Sequence, residues 1–452
     1  MTGKEILLNS IKGIETPRLP WIPFAGVHAG ALTGFTAREV LTDKDKLLQS
    51  IMEVNKLYSP DGQPIVFDLQ LEAEALGCEL QWADYGPPSV KSHPLADNKK
   101  IPCLCKIPKE EDGRFPMVLE VMREMKKQVG DRTALIGLVC GPFTLASHLR
   151  GSDIFMDMFD DPDYVINLVG FCTEVAKTIS EYYVEAGMDM IGSVDPLVSQ
   201  ISPDHFSEFL SASYMELFSY VKELKAVSAF FVCGNASNNI EVMCRTSPEA
   251  IFVDENVNMS RAKVITDRYD IALGGNIPLT TVMLHGNQND NMKYVVDMAD
   301  DLTRRKLVIA PGCDLPYHVP VENVIAVAQA VRRMDDIREM LKNYSAATDT
   351  TEIEIPDYSL LQKPLVEVFT LDSLTCAACT YMMDAAYKAK EHYGDRIDVV
   401  EYKFTEKENI ARVKKIGVRQ LPSMYINGEL KYSSIIPSRK ALHEEIDKAL
   451  EK

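Results

Sequence analysis

Cys233 closes the apolar run VSAFFVCG, and Cys313 closes the run KLVIAPGC. A glycine beside each thiol permits a sharp backbone turn that would aim it at the axis of the fold. Two thiolates with a carboxylate or imidazole make a plausible zinc site, and a catalytic zinc keeps three protein ligands and an open position. Taken singly, either cysteine also reads as a small buried apolar side chain. A second thiol pair has another spacing. Cys376 and Cys379 stand in TCAACTY, which follows one predicted strand and opens a predicted helix. Cys-x-x-Cys in that setting is a dithiol redox motif, because the helix N-terminus stabilises a thiolate. Cys376 is then the nucleophile and Cys379 the resolving thiol.

The elements that must position these groups can be read from hydrophobic pattern. Eight short, nearly continuous apolar segments lie at about 20–27, 64–70, 134–141, 188–196, 227–234, 250–257, 271–277 and 306–313. Such runs suit strands buried on both faces. Amphipathic stretches separate most of them, so the expected fold class is α/β, a (β/α)8 TIM barrel, with a doubly wound open sheet as the alternative. A barrel builds its site at the C-terminal ends of its strands. Those ends carry His28, Asp68, Cys140, Asp195, Cys233, Asp254, Glu255, Asn276 and Cys313. The segment 75–115, rich in Pro, Lys and Cys, is expected to be a lid or mouth loop.

Composition narrows the partners. The chain has 452 residues, enough for more than one domain, and a formal net charge of −18. Phosphate backbones and anionic bilayers need basic patches, so neither nucleic acid nor a membrane surface is an expected partner. No apolar run reaches the length of a spanning helix. The N-terminus carries Glu5 and Glu15, unlike a signal peptide, and a cytoplasmic location is expected. The ten cysteines of so large a chain read as free thiols, metal ligands or redox groups rather than a disulfide scaffold.

The segments LEAEALGCEL, GLVCGPFTLASHLRG, VDP with ISPDHFSEF, VCGN, GGNIP and APGCDLP with VPVENV occur in an order that resembles the uroporphyrinogen decarboxylase superfamily. They look most like its corrinoid-dependent methyltransferase branch, over roughly residues 1–340. The resemblance implies a barrel that moves a methyl group from a methylated corrinoid protein to a small acceptor, a coenzyme M-like thiol or a pterin. It also implies zinc, held by a His-x-Cys pair, a later Gly-Cys and an acidic residue. Carried over, the metal ligands are Cys233, Cys313 and Glu255, with Asp254 as a rival to the last. The implied catalytic residues are Asp195, Asn276 and Glu255, and the cofactor-binding ones Asn235 and Asp68. Zinc bound to a substrate thiol would lower its pKa. The sequence departs from the pattern where the histidine belongs, because Phe231 stands there. Glu255, His28 or His318 would complete the site, or the site serves a different acceptor, or the metal has been lost. A decarboxylase-like lyase is a second reading, although WIPFAGVHAG lacks the arginines that hold a porphyrinogen's carboxylates.

The composition changes after Asn343. Residues 344–363 read as a linker and 364–452 as a compact second domain, leaving 1–343 to the barrel. GVRQLPSMYING resembles the thioredoxin loop whose cis proline packs against the dithiol, here Pro422. The resemblance implies a thioredoxin-like domain that maintains the barrel thiols, delivers electrons or docks a partner. A third reading of the whole chain is a thiol-disulfide adaptor with an altered barrel.

Overall fold

The computed structural model describes residues 1–345, 353–374 and 376–451. They divide into two compact units, one within the first 345 residues and one toward the C-terminus. The expected linker 344–363 lies partly outside the described residues.

The first unit is built on a seven-stranded parallel sheet. Its strands, in spatial and chain order, are β1 (Gly62–Pro64), β2 (Ala134–Cys140), β3 (Met190–Val194), β4 (Val227–Val232), β5 (Ala250–Val253), β6 (Ala272–Ile277) and β7 (Leu307–Pro311). Every strand residue is buried, as continuous apolarity demands when helices cover one face and a core fills the other. Helix Phe115–Val129 shows how the cover forms. Phe115, Val118, Leu119, Met122, Met125 and Val129 recur at three- and four-residue spacing and are all buried.

The expected first strand is reduced to a single bridge, Trp21 to Ile309. Pro20 and Pro23 flank it, and proline has no N–H to extend a ladder. This short segment nevertheless spans the two sheet edges. The Ile22 N–H donates to the Ile309 carbonyl, and the Ile309 N–H to that of Pro20, both at 3.0 Å. On the other side the Asp61 N–H donates to the Trp21 carbonyl at 2.9 Å. Asp61 locks the join: its carboxylate accepts from the Trp21 N–H at 2.8 Å and pairs with Arg18 at 2.6 Å. The arrangement is of the TIM-barrel type. The second strand is shorter and earlier than the expected 64–70, because the ladder ends just past Pro64, where the Ile65 N–H donates to Ile136. Asp68 therefore sits in a loop rather than at a strand end.

Inside the sheet, Phe24, Phe67, Phe231 and Phe252 form one aromatic group. Ring centroids lie 4.7 Å apart for Phe24 and Phe231, and 5.8 Å for Phe67 and Phe231. The second pair is edge-to-face, an arrangement that contributes about 0.5–1.5 kcal/mol beyond burial. The stretch 75–115 carries only a two-residue ribbon, Leu80–Gln81 against Ser89–Val90, and one 3-10 turn, Leu104–Lys106.

The second unit has four strands: β8 (Leu365–Thr370), β9 (Asp398–Lys403), β10 (Ser423–Ile426) and β11 (Glu429–Ser433). Their order is β9-β8-β10-β11, with β8 and β9 parallel and the other pairs antiparallel. The hairpin turn falls at Asn427 and Gly428, both with positive φ, the backbone a tight hairpin favours. Helices Ala377–Tyr393 and Arg439–Leu450 cover one face of this sheet, while Val413 of helix Lys407–Ile416 packs with Phe369 and Tyr425 on the other. The Leu421–Pro422 peptide bond is cis.

Candidate active site

Cys233 follows β4 directly and Cys313 lies two residues past β7. Eighty positions apart in sequence, they meet at the mouth with Cα atoms 5.8 Å apart and their sulfurs bonded. Both are half-buried and packed against the core cluster that includes Phe231. The flanking glycines act as their positions require. Gly234 turns with φ +89°, and a Cβ on Gly312 would lie 2.7 Å from the Glu255 amide nitrogen.

The loop after β5 runs alongside. Asp254 accepts from the backbone of Gly234 and Asn256, which ties it to the turn carrying Cys233. The Glu255 carboxylate accepts from the Leu279 and Thr280 N–H groups at the start of the turn following β6. Burial, then the neighbouring Asp254 charge, raises the Glu255 pKa well above the usual carboxylate range. Asn276 closes the assembly. Its amide donates at 2.8 Å to the carbonyls of both Asp254 and Val257. Asn276 thus holds the acidic loop in place.

Other predicted residues are committed elsewhere. The buried Asp195 carboxylate accepts from the Phe143 N–H, the Thr144 N–H and hydroxyl, and the Tyr214 hydroxyl, holding the start of helix Pro142–Arg150. Asp68 pairs with Arg114 at 2.6 Å and accepts from the Gln70 N–H. The Asn235 side chain accepts from the Ser237 N–H at 3.1 Å, a local turn. Cys140 is buried, and burial pushes its thiol well above the usual range.

Two residues outside the predicted set carry the same signature as Glu255. Asp314, beside Cys313, accepts from the backbone of Gly26, Val27 and Leu315, and burial raises its pKa to about 7. Glu72 accepts from the Cys140 N–H at 2.9 Å, its other oxygen has no partner, and burial raises it to about 7. Glu72 lies in LEAEALGCEL; nothing in its spacing marks it apart from Glu74.

The residues at the mouth supply two sulfur donors for a metal. Phe231 replaces the histidine, and both Glu255 contacts go to backbone N–H groups. His28 has both ring nitrogens engaged, Nε2 with the Tyr58 hydroxyl at 2.6 Å and Nδ1 with the Tyr317 carbonyl at 3.1 Å, and burial lowers its pKa to about 4. The His318 ring lies exposed against Tyr85 and Tyr317. Among the described residues no three His, Cys, Asp or Glu side chains converge as a metal cluster. The donor set does not fit a three-ligand catalytic zinc.

In the second unit, Cys376 is the N-cap of helix Ala377–Tyr393, and its sulfur accepts from the Cys379 N–H at 3.3 Å. Cys379 is buried and Cys376 half-buried, and the two sulfurs are bonded. Cys103 and Cys105 are also paired, across two residues of an exposed loop.

This barrel-type fold, with its acidic loop and paired thiols at the strand ends, belongs to the uroporphyrinogen decarboxylase (URO-D) family, whose family model matches residues 2–334. Within it the chain is 31% identical to the methylcobamide:CoM methyltransferase MtaA of Methanosarcina barkeri, over 73% of this chain and 97% of that protein. It is 25% identical to the methylcobamide:CoM methyltransferase MtbA of Methanosarcina acetivorans, over 73% of this chain and 98% of that protein. A solved methyltransferase from Methanosarcina mazei shares the fold, with TM-score 0.69 and 24% identity over 74% of this chain and 99% of its own. Among the described residues no helix is long and apolar enough to cross a membrane.

Proposed function

We propose that the chain is a corrinoid-dependent methyltransferase. It moves a methyl group from a methylated corrinoid, carried by a partner protein, to a small thiol at the barrel mouth. The observation that carries this reading is the match of residues 2–334 to the family, joined to full-length relatives named for a methylcobamide donor and CoM as acceptor.

The methylated corrinoid supplies an electrophilic methyl group. This chain must bind the thiol, take its proton and keep water away. A free thiol has a pKa of about 8.5, and a base works best when its pKa lies near that of the group it deprotonates. Glu255 is raised in that direction by burial and by Asp254. It takes the proton, the sulfur lone pair forms the new S–C bond, and the electrons of the broken bond stay with the corrinoid. Asn276 is a positioning residue that fixes the turn from Asp254 to Val257. The Phe24, Phe67, Phe231 and Phe252 group gives the mouth a dry floor. The second unit is a thioredoxin-like dithiol module, a reading supported by its sheet order and by Cys376 at a helix N-terminus.

Incubation of the purified chain with methylcobalamin and 2-mercaptoethanesulfonate tests this. Loss of the methylcobalamin absorbance with formation of the methyl thioether is expected, and Glu255→Gln lowers kcat by about a hundredfold. Intact methylcobalamin with every thiol and pterin tried, or release of carbon dioxide from a porphyrinogen, would replace this reading.

A further inference from the structure

The mouth of the barrel holds a two-sulfur site where a three-ligand metal set is incomplete, and that disagreement carries a different chemistry. We infer that Cys233 and Cys313 form a redox-active pair, opened to two thiols by exchange with a vicinal dithiol and closed again by the corresponding disulfide.

The placement fits a disulfide without backbone movement. The Cα separation of 5.8 Å lies inside the range of native disulfides. The cysteines follow strands β4 and β7 of one sheet and pack against the buried core to which Phe24, Phe231 and Phe252 belong, so their approach is set by rigid elements. Exchange also needs a nucleophile to reach a sulfur. Both cysteines are half-buried, whereas Cys78, Cys140, Cys172 and Cys244 are unpaired and buried. The barrel thus presents a reachable pair at the mouth and keeps its lone thiols inside.

The step balances. A thiolate of the dithiol attacks one sulfur, the Cys233–Cys313 bond breaks and a mixed disulfide forms. The second thiol of the reductant displaces that bond and leaves as a disulfide. Two electrons and two protons pass to the barrel pair. The vicinal dithiol is an external small molecule, since Cys376 and Cys379 are themselves bonded to each other.

The full chain is equilibrated with set ratios of reduced and oxidised dithiothreitol in the presence of a chelator. Free thiols are then alkylated under denaturing conditions and located by peptide mass. The expected result is that Cys233 and Cys313 become protected together, with the loss of two hydrogens, along one two-electron titration. Cys313→Ser leaves Cys233 alkylated at every ratio; where that variant does not fold, Cys233→Ser serves in its place with Cys313 as the readout. Alkylation of both cysteines across the whole range, or protection without loss of two hydrogens, overturns the pair. The readout is independent of methyl transfer.

Discussion

Glu72 has one carboxylate oxygen on the Cys140 N–H and the other without a partner, in a fully buried setting. Its pKa rises from the ordinary 4.5 to about 7 because burial disfavours the charge. The folded state therefore holds a proton that the unfolded state releases between those values. Stability from this group is complete below pH 4.5 and declines as pH rises through 7, by about 3 kcal/mol in total. Urea titrations from pH 4 to 8 should show that decline in the wild type and a shallower one in Glu72→Gln. Asp195 is also raised by burial, but both of its oxygens have donors. Asp195→Ala strands the Tyr214 hydroxyl and the Thr144 N–H, with an expected loss of about 3 kcal/mol in chemical denaturation. Sequence reading selected Asp195, Asp68, Asn276 and Glu255 by one criterion, a polar side chain near a strand end. Only their partners separate them: four protein donors for Asp195, Arg114 for Asp68, two carbonyls for Asn276, and two backbone N–H groups beside the Asp254 charge for Glu255.

The helix starts and the sheet join are where single changes act on whole elements. A Cβ on Gly141 would lie 2.3 Å from the Asp195 Cβ, so Gly141→Ala must push helix Pro142–Arg150 off its carboxylate cap. The expected cost is about 2 kcal/mol, with a lower midpoint in thermal melts. Asp61→Ala removes the acceptor shared by Arg18 and the Trp21 N–H, leaving a partly buried guanidinium unpaired. A loss of about 3 kcal/mol is expected, with faster amide exchange at Ile22 and Ile309 than elsewhere in the sheet. Strands β2 to β7 were legible because both-face burial writes a continuous apolar run. The join at Trp21 and the three-residue β1 were not, because their hydrogen bonding is set by neighbours and by prolines rather than by their own apolarity.

At the scale of the molecule, each unit has its own core. Met382 is buried in the second unit among Val366, Val368 and Met424. Met382→Ala should cost that unit about 2–4 kcal/mol. Calorimetry of the full chain is expected to resolve two transitions, with this substitution lowering one and leaving the other in place. A single transition that moves as a whole would contradict the division. What the sequence determined alone was the alternation of strand and helix, the compositional break after Asn343, the order of family motifs and the absence of a histidine at position 231. These are local properties, written in residue type and period. The tertiary structure alone decided which strand-end groups meet. It brought Cys233 to Cys313 across eighty residues, gave Glu255 its raised pKa, engaged both nitrogens of His28 and brought Asp314 to the same rim. Contact between distant positions and the loss of solvent around a charge are properties of the assembled chain, and neither is encoded in a spacing.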